Sequence, residues 1–233
     1  AILLFVLFLW VESRVAHPLM PLGLFRLRNV AVANGVSVLW AAAMFAWFFI
    51  SALYLQQVLH YTPMQVGLAF LPPDLIMAAF SVGLSAKLVM RFGIRLPMAA
   101  GLVIAGLGLA WFACAPVQGK FWVDVFPGMA LLGLGGGIAF NPVLLAAMNE
   151  VEPSQSGLAS GLVNTAFMMG GALGLAVLAS LAGARTDRLL GQGSDSLAAL
   201  TGGYQLAFIV GAVFAVGAGV VGALLMRGGQ LKQ

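Results

Sequence analysis

The sequence predicts an all-α membrane protein, a bundle of six transmembrane helices preceded by the end of another span, and three observations predict it. Apolar residues make up 62% of the 233 and charged residues only 8%, against about half and a quarter in an ordinary soluble domain. A soluble fold of this length would need a polar shell, which 11 basic and 7 acidic side chains cannot supply. Six long stretches almost free of charge are each able to cover the ~30 Å of hydrocarbon that a helix of about 20 residues crosses. They are apolar on every face, whereas strands of a membrane barrel would alternate in polarity over about ten residues.

Taken in order, Ala1 to Trp10 is apolar but has no initiator Met, basic leader or small-residue cleavage site. It reads as the end of a preceding span and not as a signal peptide, so residues 1–28 are that end and a cytoplasmic linker. The six spans follow as Val30 to Tyr54, Val66 to Lys87, Leu96 to Ala115, Val125 to Met148, Leu158 to Ala184 and Tyr204 to Met226. Turn chemistry separates them: Tyr61-Thr62-Pro63 before the second, Leu96-Pro97 at the third, Glu152-Pro153-Ser154 before the fifth. Connections are expected to be short except from Arg185 to Gly203. The helical domain thus occupies residues 29–227 and a cytoplasmic tail residues 228–233.

Orientation follows from the tendency of cytoplasmic connections to retain Lys and Arg. One side holds Arg14, Arg26, Arg28, Lys87, Arg91, Arg95, Arg227 and Lys232; the other holds Lys120, Arg185 and Arg188. This asymmetry places both ends in the cytoplasm of a multi-pass protein of the cell inner membrane. The connection Asn149 to Ser156 falls on the same inner side with two glutamates and no Lys or Arg. A net charge of +4 in short clusters between apolar runs is a topology signal. The lipid bilayer is the partner it implies, and no nucleic acid.

Glycine recurs at four-residue spacing within spans: Gly133 and Gly137, Gly157 and Gly161, Gly170 and Gly174, then Gly211, Ala215 and Gly219. Hydrocarbon supplies little hydrophobic force between helices, so such small stripes are expected to hold the bundle by close backbone approach. Gly217 to Gly222 fits GxGxxG in letters yet has no preceding strand and no later acid, and Gly133 to Gly137 lacks the Lys-Ser/Thr of a phosphate loop. Neither reads as a nucleotide site.

Enzyme chemistry fails on inventory. His17 and His60 fall in connections on opposite sides, Ser160 has no base placed to activate it, and no metal-ligand spacing is present. The single cysteine, Cys114, excludes an internal disulfide. No cofactor is called for.

Asp74 is the acid within a span, directly after Pro72 and Pro73. At membrane depth a carboxylate costs on the order of 3 kcal/mol and usually faces a cavity or binds protons. A helix beginning at Pro73 would instead make it a first-turn residue favoured by the helix dipole. The sequence leaves both open. Asn34, Asn141 and Asn164 put amides in hydrocarbon, where each needs a neighbouring helix, water or ligand. Trp40, Trp47 and Tyr54 recur every seven residues on one face, a packing stripe or belt that could also serve as a wall for flat lipophilic cations.

Between the second and third spans, Gly83, Lys87, Arg91, Gly93 and Arg95 form a basic connection expected to lie in the cytoplasm. Its Gly plus Arg-Phe-Gly-x-Arg spacing resembles the cytoplasmic loop motif of the major facilitator superfamily. Further segments resemble that superfamily's drug:proton antiporter family with fourteen spans, and in its order. They are His17-Pro18-Leu19, Leu24-Phe25-Arg26, Tyr54-Leu55-Gln56-Gln57-Val58, Gly67 to Pro72, Gly157 to Thr165 and Gly170 to Gly174. The resemblance covers nearly the whole chain. It implies the carboxy-terminal half of an exporter of small hydrophobic drugs or antibiotics, powered by a proton gradient. Asp74, Asn34, Trp40, Asn141 and Asn164 are then candidates for the substrate or proton pathway. The amino-terminal half, where that family keeps its main proton-coupling carboxylates, is the implied partner. Met90 stands where the motif has an acid, so Arg91 lacks the usual local ion partner. A transporter of another small molecule, or a membrane scaffold, are the competing readings.

Overall fold

A computed structural model describes Trp10, residues 27–148, Val151 and residues 155–226. The preceding span, His17, Arg14, Arg26, the two glutamates of the fourth connection and the tail 228–233 lie outside the described residues. Within them are six helices long and apolar enough to cross a membrane: α1 Arg28–Val58, α2 Pro63–Phe92, α3 Arg95–Phe112, α4 Phe121–Met148, α5 Ser156–Gly191 and α6 Ser196–Leu225.

The helices stop later than charge alone suggests. Lys87 and Arg91 belong to α2, and the connection to α3 shrinks to a tight turn in which Gly93 adopts φ +73°. That conformation suits glycine because it has no Cβ to clash. The basic segment expected as a loop is therefore mostly helix. The same holds for Arg185 to Gly203, because α5 continues to Gly191 and α6 begins at Ser196 after an Asp195 cap on the Leu197 N–H. Polar helix turns that emerge from the apolar run cost nothing in water, so hydropathy cannot see where they end. The extension is packed: the Thr186 hydroxyl reaches the carbonyls of Ala182 and Ala199 at 2.9 and 3.3 Å.

Helix α1 is central and packs on α4, α5 and α6, while α3 packs on α4 and α6, and α2 packs chiefly on α4. Trp40, Trp47 and Tyr54 form the middle of the core. The Tyr54 hydroxyl donates to the Pro116 carbonyl at 2.6 Å, and Trp47 lies against Phe48 and Phe70.

Small residues set the helix spacing. A Cβ on Gly133 would strike the Pro73 carbonyl, and one on Gly137 would stand 2.6 Å from the Met77 carbonyl, so this pair seats α2 on α4. Gly170 and Gly174 seat α5 on α1 at Val38 and Ala42. The expectation fails at Gly157 and Gly161, which have nothing within 4 Å among the described residues. They lie on the exposed face of α5, whereas Ala159 and Leu162 beside them are buried and Leu162 packs on Val30 of α1. Another close approach lies outside the four-residue pattern. Gly101 faces Gly135 and Gly108 faces Gly128 across antiparallel α3 and α4, each pair closing backbone to backbone. Both helices carry their glycines seven residues apart, the repeat that keeps a left-handed crossing in register.

Two irregularities in α2 and α4 meet. Helix α2 widens to a π-turn over Ser81–Ser85, which takes a carbonyl out of the regular ladder. In α4, Pro142 has no N–H to give the Ile138 carbonyl four residues back. Asn141 of α4 donates its Nδ2 to the Ser81 carbonyl at 2.8 Å, and Ser85 of α2 donates its hydroxyl to the Ile138 carbonyl at 3.1 Å. Each defect is satisfied by the other helix, which matters where water is absent.

Candidate functional site

Helix α1 sets Asn34, Ser37 and Trp40 three residues apart and hence on one face. All three are buried. Asn34 returns its Nδ2 to the Val30 carbonyl at 2.8 Å, whereas Asn34 Oδ1, Ser37 Oγ and Trp40 Nε1 have no partner among the described residues. A buried polar atom left unpaired costs about 1–3 kcal/mol, so three in two turns of one helix need a reason. Ser37 and Trp40 line a cleft of about 250 Å³ between α1, α4 and α5. Phe140 and Val143 of α4 form one wall; Ser160, Asn164, Phe167 and Met168, spaced along one face of α5, form the other.

Phe167 stands edge-on to Phe140 at 6.2 Å and to Phe45 at 5.9 Å. It thereby separates the cleft from a second apolar groove of about 450 Å³ between α1 and α5, lined by Phe45, Phe48 and Leu175. Among the described residues no ionisable side chain lines either. The arrangement offers ring faces, a serine pair and an amide, which suits apolar compounds carrying a few hydrogen-bonding groups.

Of the candidates read from sequence, Trp40 and Asn164 meet in this cleft, and Asn34 lies one turn from it. Asn164 is exposed there. Asn141 faces α2 instead, donating to Ser81. Asp74 lies elsewhere. Helix α2 begins at Pro63 behind a Thr62–Gln65 capping box and runs through both prolines, so the first-turn reading is overturned. Asp74 sits about 16 Å along the helix, next to the Pro73 that rests on Gly133, with Oδ1 buried and unpartnered among the described residues. At the basic end of α2, Arg91 lies 5.2 Å from the Phe92 ring centre, and Lys87 and Arg95 flank the Gly93 turn. Ser37, Phe140 and Phe167 were missed, although the three-residue spacing of Ser37 from Asn34 and Trp40 was a usable signal.

Known proteins resemble the chain over most of its length. Residues 1–175 match the Major Facilitator Superfamily. Cephamycin export protein CmcT of Amycolatopsis lactamdurans is 34% identical over 220 residues, 94% of this chain and 44% of that protein. Puromycin resistance protein pur8 of Streptomyces alboniger is 33% identical over 226 residues, 96% of this chain and 45% of that protein. Lincomycin resistance protein of Streptomyces lincolnensis is 37% identical over 174 residues, 75% of this chain and 36% of that protein. The chain spans less than half the length of these relatives. Six membrane-length helices packed as one bundle, together with this match, show that the chain belongs to the Major Facilitator Superfamily.

Proposed function

We propose that the chain is the carboxy-terminal half of a proton-driven exporter of small hydrophobic drugs or antibiotics, of the drug:proton antiporter type with fourteen spans. The cleft between α1, α4 and α5 carries the proposal: it is apolar and aromatic, has no ionisable side chain among the described residues that line it, and counts among its lining Ser37 and Trp40, whose buried polar atoms are unpaired among the described residues. The printed names of the relatives, which speak of antibiotic export and resistance, support it. Such a site binds and releases; it performs no covalent chemistry. Transport by this family's design needs two halves rocking about a midplane site, so these residues act together with an amino-terminal half. Both ends of the helical domain then lie in the cytoplasm.

Asp74 is the group of this half assigned to the proton path, on the ground of its depth in α2 and its unpaired oxygen. The test is ethidium efflux from proteoliposomes holding the full-length parent under an imposed proton gradient. Asp74→Asn is expected to slow efflux by about tenfold or more, roughly the 1.4 kcal/mol of one lost proton-coupled contact. Trp40→Ala is expected to weaken substrate binding while leaving proton uptake intact. Efflux unchanged in Asp74→Asn removes that residue from the mechanism, and a parent that moves no hydrophobic compound removes the exporter reading.

A further inference from the structure

Ser37 and Trp40 stand apart from the other polar groups of the α1–α4–α5 cleft. Ser160 and Asn164 of α5 border the same space, but they are half-buried and exposed, so water can answer them. Ser37 and Trp40 are only 0% and 2% exposed. Neither Ser37 Oγ nor Trp40 Nε1 has a partner among the described residues. The indole N–H can only donate, whereas a hydroxyl donates or accepts. A donor buried without an acceptor is a standing penalty, and packing gives no reason to keep it, because an apolar ring would fill the core without it.

The size of the cleft limits what can bring the acceptor. A helix is ~10 Å across and rises 1.5 Å per residue, so about 250 Å³ is roughly the volume of two helical residues. A helix of the amino-terminal half is too wide to enter; a small molecule or a single side chain is not. The rest of the lining narrows the choice of molecule. Phe140, Phe167 and Met168 offer ring faces and a thioether to an apolar body. Among the described residues no ionisable side chain lines the cleft, so a charged group set against the α1 wall would shed its hydration with no countercharge to replace it. An uncharged acceptor such as a carbonyl oxygen loses less and gains the N–H.

We infer that the α1 wall of the cleft reads a hydrogen-bond acceptor: Trp40 Nε1–H, with the Ser37 hydroxyl one turn before it, takes the carbonyl oxygen of an uncharged, ring-bearing substrate such as an aromatic amide. The inference rests on the reading of this cleft as the exporter's binding site. It gives that site a selectivity that ring faces alone would not. A flat cation such as ethidium, which carries no carbonyl, binds by cation–π contact and makes no use of the N–H. A site built round a hydrogen bond discriminates against a compound lacking the matching group far more sharply than an apolar pocket does against a missing methylene.

Chloramphenicol, an uncharged aromatic amide, and ethidium test this side by side in proteoliposomes of the full-length parent under an imposed proton gradient. Trp40→Phe keeps a ring and removes the N–H. Its kcat/KM for chloramphenicol relative to ethidium is expected to fall about tenfold, the equivalent of 1.4 kcal/mol, through KM rather than kcat. Loss of ring area falls on both substrates alike and so leaves that ratio alone. Ser37→Ala is expected to lower the ratio in the same direction, and, because it deletes an unpaired hydroxyl, to melt no lower than the wild type without substrate. It changes little volume and decides by the same ratio if the larger substitution fails to fold. An unchanged ratio overturns the inference. So does a wild type that moves ethidium but not chloramphenicol, which leaves the exporter reading standing; a wild type that moves neither removes that reading and this one with it. A lower melting temperature for Ser37→Ala would show that a protein side chain already answers the hydroxyl, and overturns the inference as well.

Discussion

Asp74, Asn141 and Ser85 are polar residues in a hydrocarbon setting, and the structure gives them opposite energetic signs. Asn141 and Ser85 answer carbonyls that the backbone has released, so removing either leaves an orphan acceptor. Each alanine variant is expected to lose about 1 kcal/mol in detergent unfolding, the usual scale for a hydrogen bond within a membrane bundle. The sharper test is a cycle: Ser85→Ala should cost little once Pro142→Ala has restored the N–H that Ile138 lacks, a non-additivity of about 1 kcal/mol. Asp74 presents an unpaired oxygen instead, so Asp74→Asn is expected to raise the melting temperature while impairing transport, the trade expected of functional strain. Asp74 and Asn141 were legible in the sequence because acids and amides stand out in an apolar run. The serines were not, since serine is common in such helices and a π-turn leaves no compositional mark. The carbonyl freed by Pro142 was inferable, but its partner on another helix was not.

Helix contacts obey a similar division between what spacing reveals and what only packing decides. Four-residue glycine stripes mark Gly133–Gly137 and Gly170–Gly174, which stand against α2 and α1, and equally Gly157–Gly161, which meets nothing among the described residues. The period says that a face is smooth and cannot say what lies against it. The seven-residue pairs Gly101–Gly108 and Gly128–Gly135 become meaningful only when α3 and α4 are set antiparallel, for then the positions match end to end. Gly135→Val is accordingly expected to destabilise the bundle by roughly 2 kcal/mol or more through overpacking. Gly217→Ala, at a helical position with open space, should be neutral or slightly stabilising. Melting of the two variants in the same detergent checks the pair. A comparable loss at both sites would remove the backbone-to-backbone contact as the cause.

For the whole molecule, hydropathy located all six helices because the lipid requirement applies to every residue of a span. Their ends were misjudged wherever a helix continued past the oil, as α2 does to Phe92 and α5 to Gly191. The cleft was only half legible: Trp40 and Asn164 were candidates, but the walls come from three helices whose adjacency the sequence does not state. The polypeptide is expected to remain insoluble without detergent. A cysteine placed at Ile94 in a Cys114→Ser background should react with membrane-permeant but not impermeant maleimide in intact cells, as a cytoplasmic Gly93 turn requires; equal labelling by both reagents would invert the proposed topology. The crossed bonds between α2 and α4 also bear on inheritance. A lineage that replaced Pro142 with an ordinary residue would return the Ile138 carbonyl to its own helix, and the hydroxyl at position 85 would lose its purpose. Positions 85 and 142 should therefore drift as a couple: both can be forfeited together, whereas loss of the serine alone leaves a descendant with an unanswered acceptor in oil.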